Sequence, residues 1–330
     1  MRRRDLLKIL GSVGMTSLGA ASALAQQQRV PRLAIAVTAG RPDDRYWQAF
    51  FDELRQRGWI ESQNIKIERY SFEGQTHRYA ELARDVVRTK PDIIATVTSR
   101  MVHAFKAATT TIPIVMASTD PVAAGLVANL AHPGGNITGA SGDPGRSDLN
   151  AKRLQIIKEV IPSTKRLGYL APRGAWDLGA FGDVDREAQK AGLELLGPPL
   201  DGVIQEPEYR RVIAAMVASQ VDALFVHEAT ENLVNAKLIV GLADQYRLPA
   251  VYPYREHIEL GGLMGYVVEF RPVNRQMAIA ADLILRGANP GEIPIHLPAQ
   301  IEFLINSKAA RALGLSIPQH LLALADEVVE

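Results

Sequence analysis

Cysteine is missing altogether from this chain of 330 residues. Its absence excludes a disulfide framework, thiol catalysis, a cysteine-ligated metal and a lipid anchor on cysteine. An excess of charge of one sign is missing too: 37 Lys and Arg stand against 36 Asp and Glu. That balance gives no basic surface for nucleic acid and no like-charged interaction tail. Catalytic signatures are lacking as well. There is no G-x-S-x-G elbow and no Walker loop, and Thr38-Ala39-Gly40 is not a G-x-G-x-x-G turn. The segment HEATE from His227 lacks the second histidine of a zincin, and the seven histidines are scattered. The sequence therefore points to no cofactor and no resident metal.

What is present begins with an export signal. Arg2, Arg3, Arg4 and Lys8 precede a mildly apolar run that ends in Ala23-Leu24-Ala25, the A-x-A pattern of signal cleavage. The run is too short and too polar to read as a membrane span. Paired arginines leave both the Sec and the twin-arginine route open. Cleavage near Ala25 leaves 305 residues and moves the net charge from +1 to about −2, because the lost segment carries four basic residues and Asp5. With 47% hydrophobic residues such a chain builds a large core, and at this length it tends to divide in two.

From Arg32 onward, apolar runs of strand length alternate with amphipathic stretches of helix length. Strands are expected at 33–37, 65–70, 92–97, 113–117 and 137–139, with helices at 46–57, 76–89, 101–108 and 121–130. After the break Ser141-Gly142-Asp143-Pro144-Gly145 the alternation restarts. Helices are then expected at 148–160, 183–191, 207–219 and 232–246, and strands at 167–170, 223–226 and 249–252. Beyond Gly261-Gly262 come a strand at 263–267, a helix at 273–286 and a short terminal helix near Glu330. This predicts an α/β fold of two doubly wound, parallel-sheet lobes joined by a hinge. Residues 30–140 form the first lobe, with 261–297 returning to it; residues 141–260 form the second, with 298–330 at or near the hinge and that lobe.

In open parallel sheets, ligands bind beyond the carboxyl ends of the strands. That rule selects Thr38, Ser99, Arg100, Thr119, Asp120 and Ser141 in the first half, and Arg173, Trp176, His227, Glu228, Tyr252 and Arg255 in the second. Each has a plainer reading. Ser99 and Asp120 are good helix caps, and Pro121 suits a first helical position. Trp176 and Tyr252 could be core, and His227-Glu228 a polar rim.

The run FFDELRQRGWIESQNIKIERYSFEGQTHRYAELARDVVRTKPDIIAT, with KAATTTIPIVMASTDPVAAGLVANLAHPGGNITG, RLPAVYPYREHIELGGLMGY and INSKAARALGLSIPQHLLALADEVVE, resembles ABC-transporter substrate-binding proteins of the tryptophan/tyrosine type. The resemblance implies a type I periplasmic-binding fold, whose strand-end loops enclose a small carboxylate-bearing solute, an amino acid or an aromatic or organic acid. It also implies a periplasmic monomer that delivers its solute to an ABC permease of the inner membrane and performs no chemistry. A receptor for a sensory system and a periplasmic α/β enzyme remain the alternatives. Ser99 and Arg100 match the family's helix start, and Thr119-Asp120-Pro121 its D-P turn. Ala171-Pro172-Arg173-Gly174-Ala175 departs from the family's N-P-x-N-P, and the gain of Arg173 implies an altered ligand.

Overall fold

The computed structural model describes residues 29–37, 45–72, 75–118, 120–142, 146–177, 180–297 and 300–330. The leader peptide expected at 1–25, Thr38 and Thr119 lie outside them.

The first sheet contains β1 (Arg32–Val37), β2 (Lys66–Ser71), β3 (Ile93–Val97), β4 (Ile114–Ser118) and β5 (Ile137–Ser141), in the order β2-β1-β3-β4-β5. All four pairings are parallel. The second sheet contains β6 (Arg166–Leu170), β7 (Glu194–Leu196), β8 (Ala223–Val226), β9 (Ala250–Tyr252), β10 (Met264–Glu269), β11 (Gln300–Asn306) and β12 (Glu327–Val329). Its order, β12-β11-β10-β9-β8-β6-β7, repeats the winding of the first over β6 to β10. Only β10 and β11 run antiparallel among the strands paired there.

Strand parity builds the two-faced core. Leu33, Ile35 and Val37 pack against Trp47, Phe50 and Leu54 of α1 (Arg45–Gln56), while Ala34 and Ala36 face the opposite side. That side is covered by Tyr79, Ala83 and Val86 of α2 (Tyr79–Arg88) and by Met101, Val102 and Phe105 of α3 (Ser99–Ala108). The second lobe repeats the arrangement. Leu167 and Tyr169 face α4 (Arg146–Val160) and α6 (Ala180–Lys190), which follows the short α5 (Arg173–Asp177). Leu170, Leu224 and Val226 face α7 (Glu206–Ala218) and α9 (Ala236–Gln245).

The chain leaves the first lobe after Gly142, re-enters it after Phe270 and leaves it again after His296. Two crossings touch: a methyl added to Gly142 would stand 3.1 Å from Phe270 Cε1. The segment expected to return to the first lobe from residue 261 divides instead, because β10 belongs to the second sheet. The return begins with α10 (Arg271–Leu285), which Asp282 ties to the first lobe by accepting from Trp59 Nε1 at 2.8 Å and Arg57 Nη1 at 3.2 Å.

Two expected helices are corrected. Residues 121–130 make a single turn, not a helix. Asp120 Oδ1 accepts from the Ala123 N–H at 2.9 Å, but Gly125 at φ +65° ends the turn. The Lys106 ammonium then takes the Gly125 and Leu126 carbonyls at 2.6 and 3.1 Å. The chain also does not end in a helix. α11 (Gln319–Leu324) stops, the Asp326 N–H donates to the Phe303 carbonyl, and the β-branched pair Val328-Val329 joins the sheet beside β11. The helix expected over 232–246 is divided at Asn235 into α8 (Thr230–Val234) and α9.

Candidate functional site

A cavity of about 410 Å³ lies between the carboxyl edges of the two sheets. Val37, Val97 and Ala117-Ser118 reach it from the ends of β1, β3 and β4; Pro172, His227 and Tyr254 reach it from just beyond β6, β8 and β9. In both lobes the strand order reverses beside the first strand, the place where open α/β sheets part their loops. The volume is within the range of pockets that hold small molecules.

The first-lobe wall is built on one backbone feature. Thr98 joins β3 to α3 at φ +69° and ψ 136°, a region that non-glycine residues rarely adopt. Its N–H donates to the Ala117 carbonyl at 2.9 Å and its carbonyl accepts from Val102 at 3.1 Å, so bonds on both sides hold the strained unit. Its side chain caps nothing. Ser99 Oγ lies 2.7 Å from Ser118 Oγ. The first turn of α3 therefore faces the cavity without a side-chain cap, and N–H groups at such an end favour an anion. Arg100 reaches across to the second lobe: a methyl on Gly174 would meet its Nη2 at 3.0 Å. Tyr46 and Trp47 of α1, Tyr79 of α2, and Phe270 add rings, with Tyr46 edge-on to Phe270 at 5.9 Å.

The second-lobe wall is built from side chains. His227 Nδ1 lies 2.8 Å from the buried Tyr169 hydroxyl. Asn232, fully buried on α8, donates to the Leu170 and His227 carbonyls at 3.1 and 2.8 Å and accepts from the Tyr209 hydroxyl at 2.9 Å. That hub fixes the loop carrying His227 and Glu228. Glu231 lines the same wall. Burial, reinforced by Glu228, pushes the Tyr254 phenol well above its usual value, so it presents a neutral hydroxyl. Behind it His257 stacks at 5.9 Å from the Tyr254 ring and 4.9 Å from that of Tyr252. Burial pushes this imidazole down to about 4, keeping it uncharged at neutral pH.

Of the residues selected from strand ends, Ser99, Arg100, His227 and Glu228 line the cavity. The others described are placed elsewhere. Asp120 is exposed and caps its own turn. Ser141 is buried in β5, its N–H donating to the His296 carbonyl at 2.8 Å. Arg173 is held on the surface by Asp201, at 2.6 Å from Nη2. The altered ligand implied by its gain therefore has no support in the cavity wall. Trp176 stacks on Phe181 at 4.2 Å and packs against the second-lobe core. Tyr252 is 1% exposed core, and Arg255 is bound by Glu302 at 2.7 Å and Glu327 at 2.6 Å.

Strand ends alone miss Tyr46, Trp47, Tyr79, Glu231, Phe270 and Asn274. A readable signal existed for the first three. A helix following a parallel strand starts at the edge where the strand stops, so its first-turn aromatics belong to the same edge. Phe270 and Asn274 needed the position of the crossing, which no local pattern marks. Among the described residues, no group of three or more His, Asp and Glu could hold a metal ion.

Residues 34–329 match the model of the family described as ABC transporter substrate binding protein. A tyrosine-binding protein of Clostridioides difficile is 27% identical over 278 residues, covering 82% of this chain and 77% of that one. Two solved structures cover 91% of this chain and all of their own at 25% identity. One is a conserved domain protein of Vibrio cholerae O1 biovar eltor, with a TM-score of 0.81. The other, at 0.80, is the ABC domain in complex with L-Trp from Streptococcus pneumonia. The two-lobed α/β fold, the cavity between strand tips and a family match over nearly the whole described chain agree: this chain belongs to the ABC transporter substrate-binding proteins and binds a small solute.

Proposed function

We propose that the protein is an exported receptor that closes around an aromatic α-amino acid and hands it, unaltered, to a membrane permease. The observation that carries the reading is the uncapped first turn of α3, set beside Arg100 and facing a cavity ringed by Tyr46, Trp47, Tyr79 and Phe270. A carboxylate at that turn gains charge-assisted hydrogen bonds, and the rings supply apolar area for an aromatic body. The tyrosine-binding relative and the L-Trp complex support this class of solute. Because the solute touches both lobes, it favours the arrangement in which they approach each other. Export rests on the leader expected at 1–25, with release near Ala25.

Calorimetric titration with L-tyrosine, L-tryptophan and tyramine tests the reading. Both amino acids are expected to bind, and tyramine, which lacks the carboxylate, to bind at least about 10-fold more weakly. Mass spectrometry is expected to recover the amino acids unchanged. Equal affinity for tyramine, or a chemically altered solute, contradicts the proposal.

A further inference from the structure

Arg153 of α4 is among the largest fully buried side chains of the chain, 2% exposed. A guanidinium stays charged and is costly to bury without a counter-charge. Its Nε donates to the Tyr266 carbonyl at 2.8 Å, its Nη1 lies 3.4 Å from Asn150 Oδ1, and its Nη2 lies 3.5 Å from Glu228 Oε2. Glu228 stands between this hidden cation and the cavity, with 17% of its side chain exposed. Glu231 lines the same wall from the next helix. Among the described residues, the second-lobe wall thus presents the carboxylates of Glu228 and Glu231 with Arg153 buried behind, while the first-lobe wall presents Arg100 and a helix N-terminus.

That asymmetry fits a zwitterion laid from one lobe to the other. A solute with a carboxylate and no amine satisfies the first wall and leaves a carboxylate of the second desolvated without a partner. We propose that Arg153 is a positioning residue, which holds Glu228 in the cavity wall as the acceptor for the solute's ammonium and so makes the amine the group that the second lobe selects. This rests on the reading of the solute as an aromatic amino acid. Arg153 does not touch the solute. It acts through Glu228, anchored at its other end to the Tyr266 carbonyl of β10.

The test compares L-tyrosine with 3-(4-hydroxyphenyl)propanoate, which differs from it by the amine alone. Calorimetry on the full chain is expected to show the unaltered protein favouring L-tyrosine by about 100-fold. In Arg153→Lys the preference stays within about 3-fold of that value. In Arg153→Met it falls below about 10-fold, chiefly through weaker L-tyrosine binding. Should Arg153→Met fail to fold, Arg153→Met combined with Glu228→Gln removes both charges and is expected to lose the preference in the same way. Equal weakening of the two solutes in either Arg153→Met background shows a merely structural residue and overturns the inference. So does an unaltered protein that binds both equally. Failure of the unaltered protein to bind any aromatic amino acid overturns the solute reading and this inference with it.

Discussion

The two walls of the cavity are made differently. In the first lobe the polar contribution is largely backbone: a strained Thr98 that turns a strand into a helix, and a first turn left without a cap. In the second lobe it is side chain, with each surface group backed by a buried one: His227 by Tyr169, the His227–Glu228 loop by Asn232, Glu228 by Arg153, and Tyr254 by His257. A backbone wall offers a fixed field that any carboxylate can use. A side-chain wall supported from behind can discriminate, since its groups are costly to leave unpaired. The same winding order therefore yields one half suited to a general feature of the solute and another suited to a particular one.

Acid should strain the second lobe most. His257 is held near 4 in the folded chain against about 6.5 unfolded, so the unfolded state takes up its proton first as pH falls. Its contribution is whole above pH 6.5 and is lost as pH drops towards 4, on the order of 3 kcal/mol in total. Denaturant unfolding of the unaltered protein and of His257→Leu across pH 7 to 4 checks this, the variant losing correspondingly less stability. Parallel curves would place the acid sensitivity elsewhere.

A smaller effect separates recognition from stability in the first lobe. Arg100→Gln should weaken L-tyrosine by about 10- to 100-fold, the worth of one charge-assisted hydrogen bond, and leave both tyramine affinity and the unfolding midpoint unchanged. A loss shared by tyramine would show that Arg100 does not read the carboxylate. The smallest expected effect concerns the backbone. Thr98→Gly releases about 1–3 kcal/mol of strain and gives back roughly 0.5–1 in chain entropy, so the solute-free protein should gain about 1 kcal/mol. A loss of stability on unfolding would mean that the Thr98 conformation costs nothing.

Much of the fold was legible because alternation is local. Strand and helix lengths, turn residues and the break at Ser141-Gly142 all lie within a few positions of one another in the chain. The failures share a long-range cause. The Pro121 turn opened as a helix should, and Lys106, 19 residues earlier, took the carbonyl of Gly125 that a continuing helix would have used. Val328 and Val329 became a strand only because the edge of β11 was free to receive them. At the site, the strand-end rule placed the cavity and Ser99, Arg100, His227 and Glu228 on its wall, but it also selected residues that lie elsewhere. Arg173 and Arg255 sit at suitable ends, yet carboxylates 28 and 47 residues away hold them. Tyr252 faces the sheet interior by parity. Arg153 had no signal, being a charged residue in a helix with no clear apolar stripe, and its carboxylate partner lies 75 residues on.

The most direct test of two unlike walls gripping one molecule is a crystal structure with L-tyrosine bound. The solute carboxylate should lie at the N-terminal turn of α3 beside Arg100, its ring among Tyr46, Trp47, Tyr79 and Phe270, and its ammonium against Glu228. Density for the solute in the reverse orientation, or held by one lobe alone, would contradict the account.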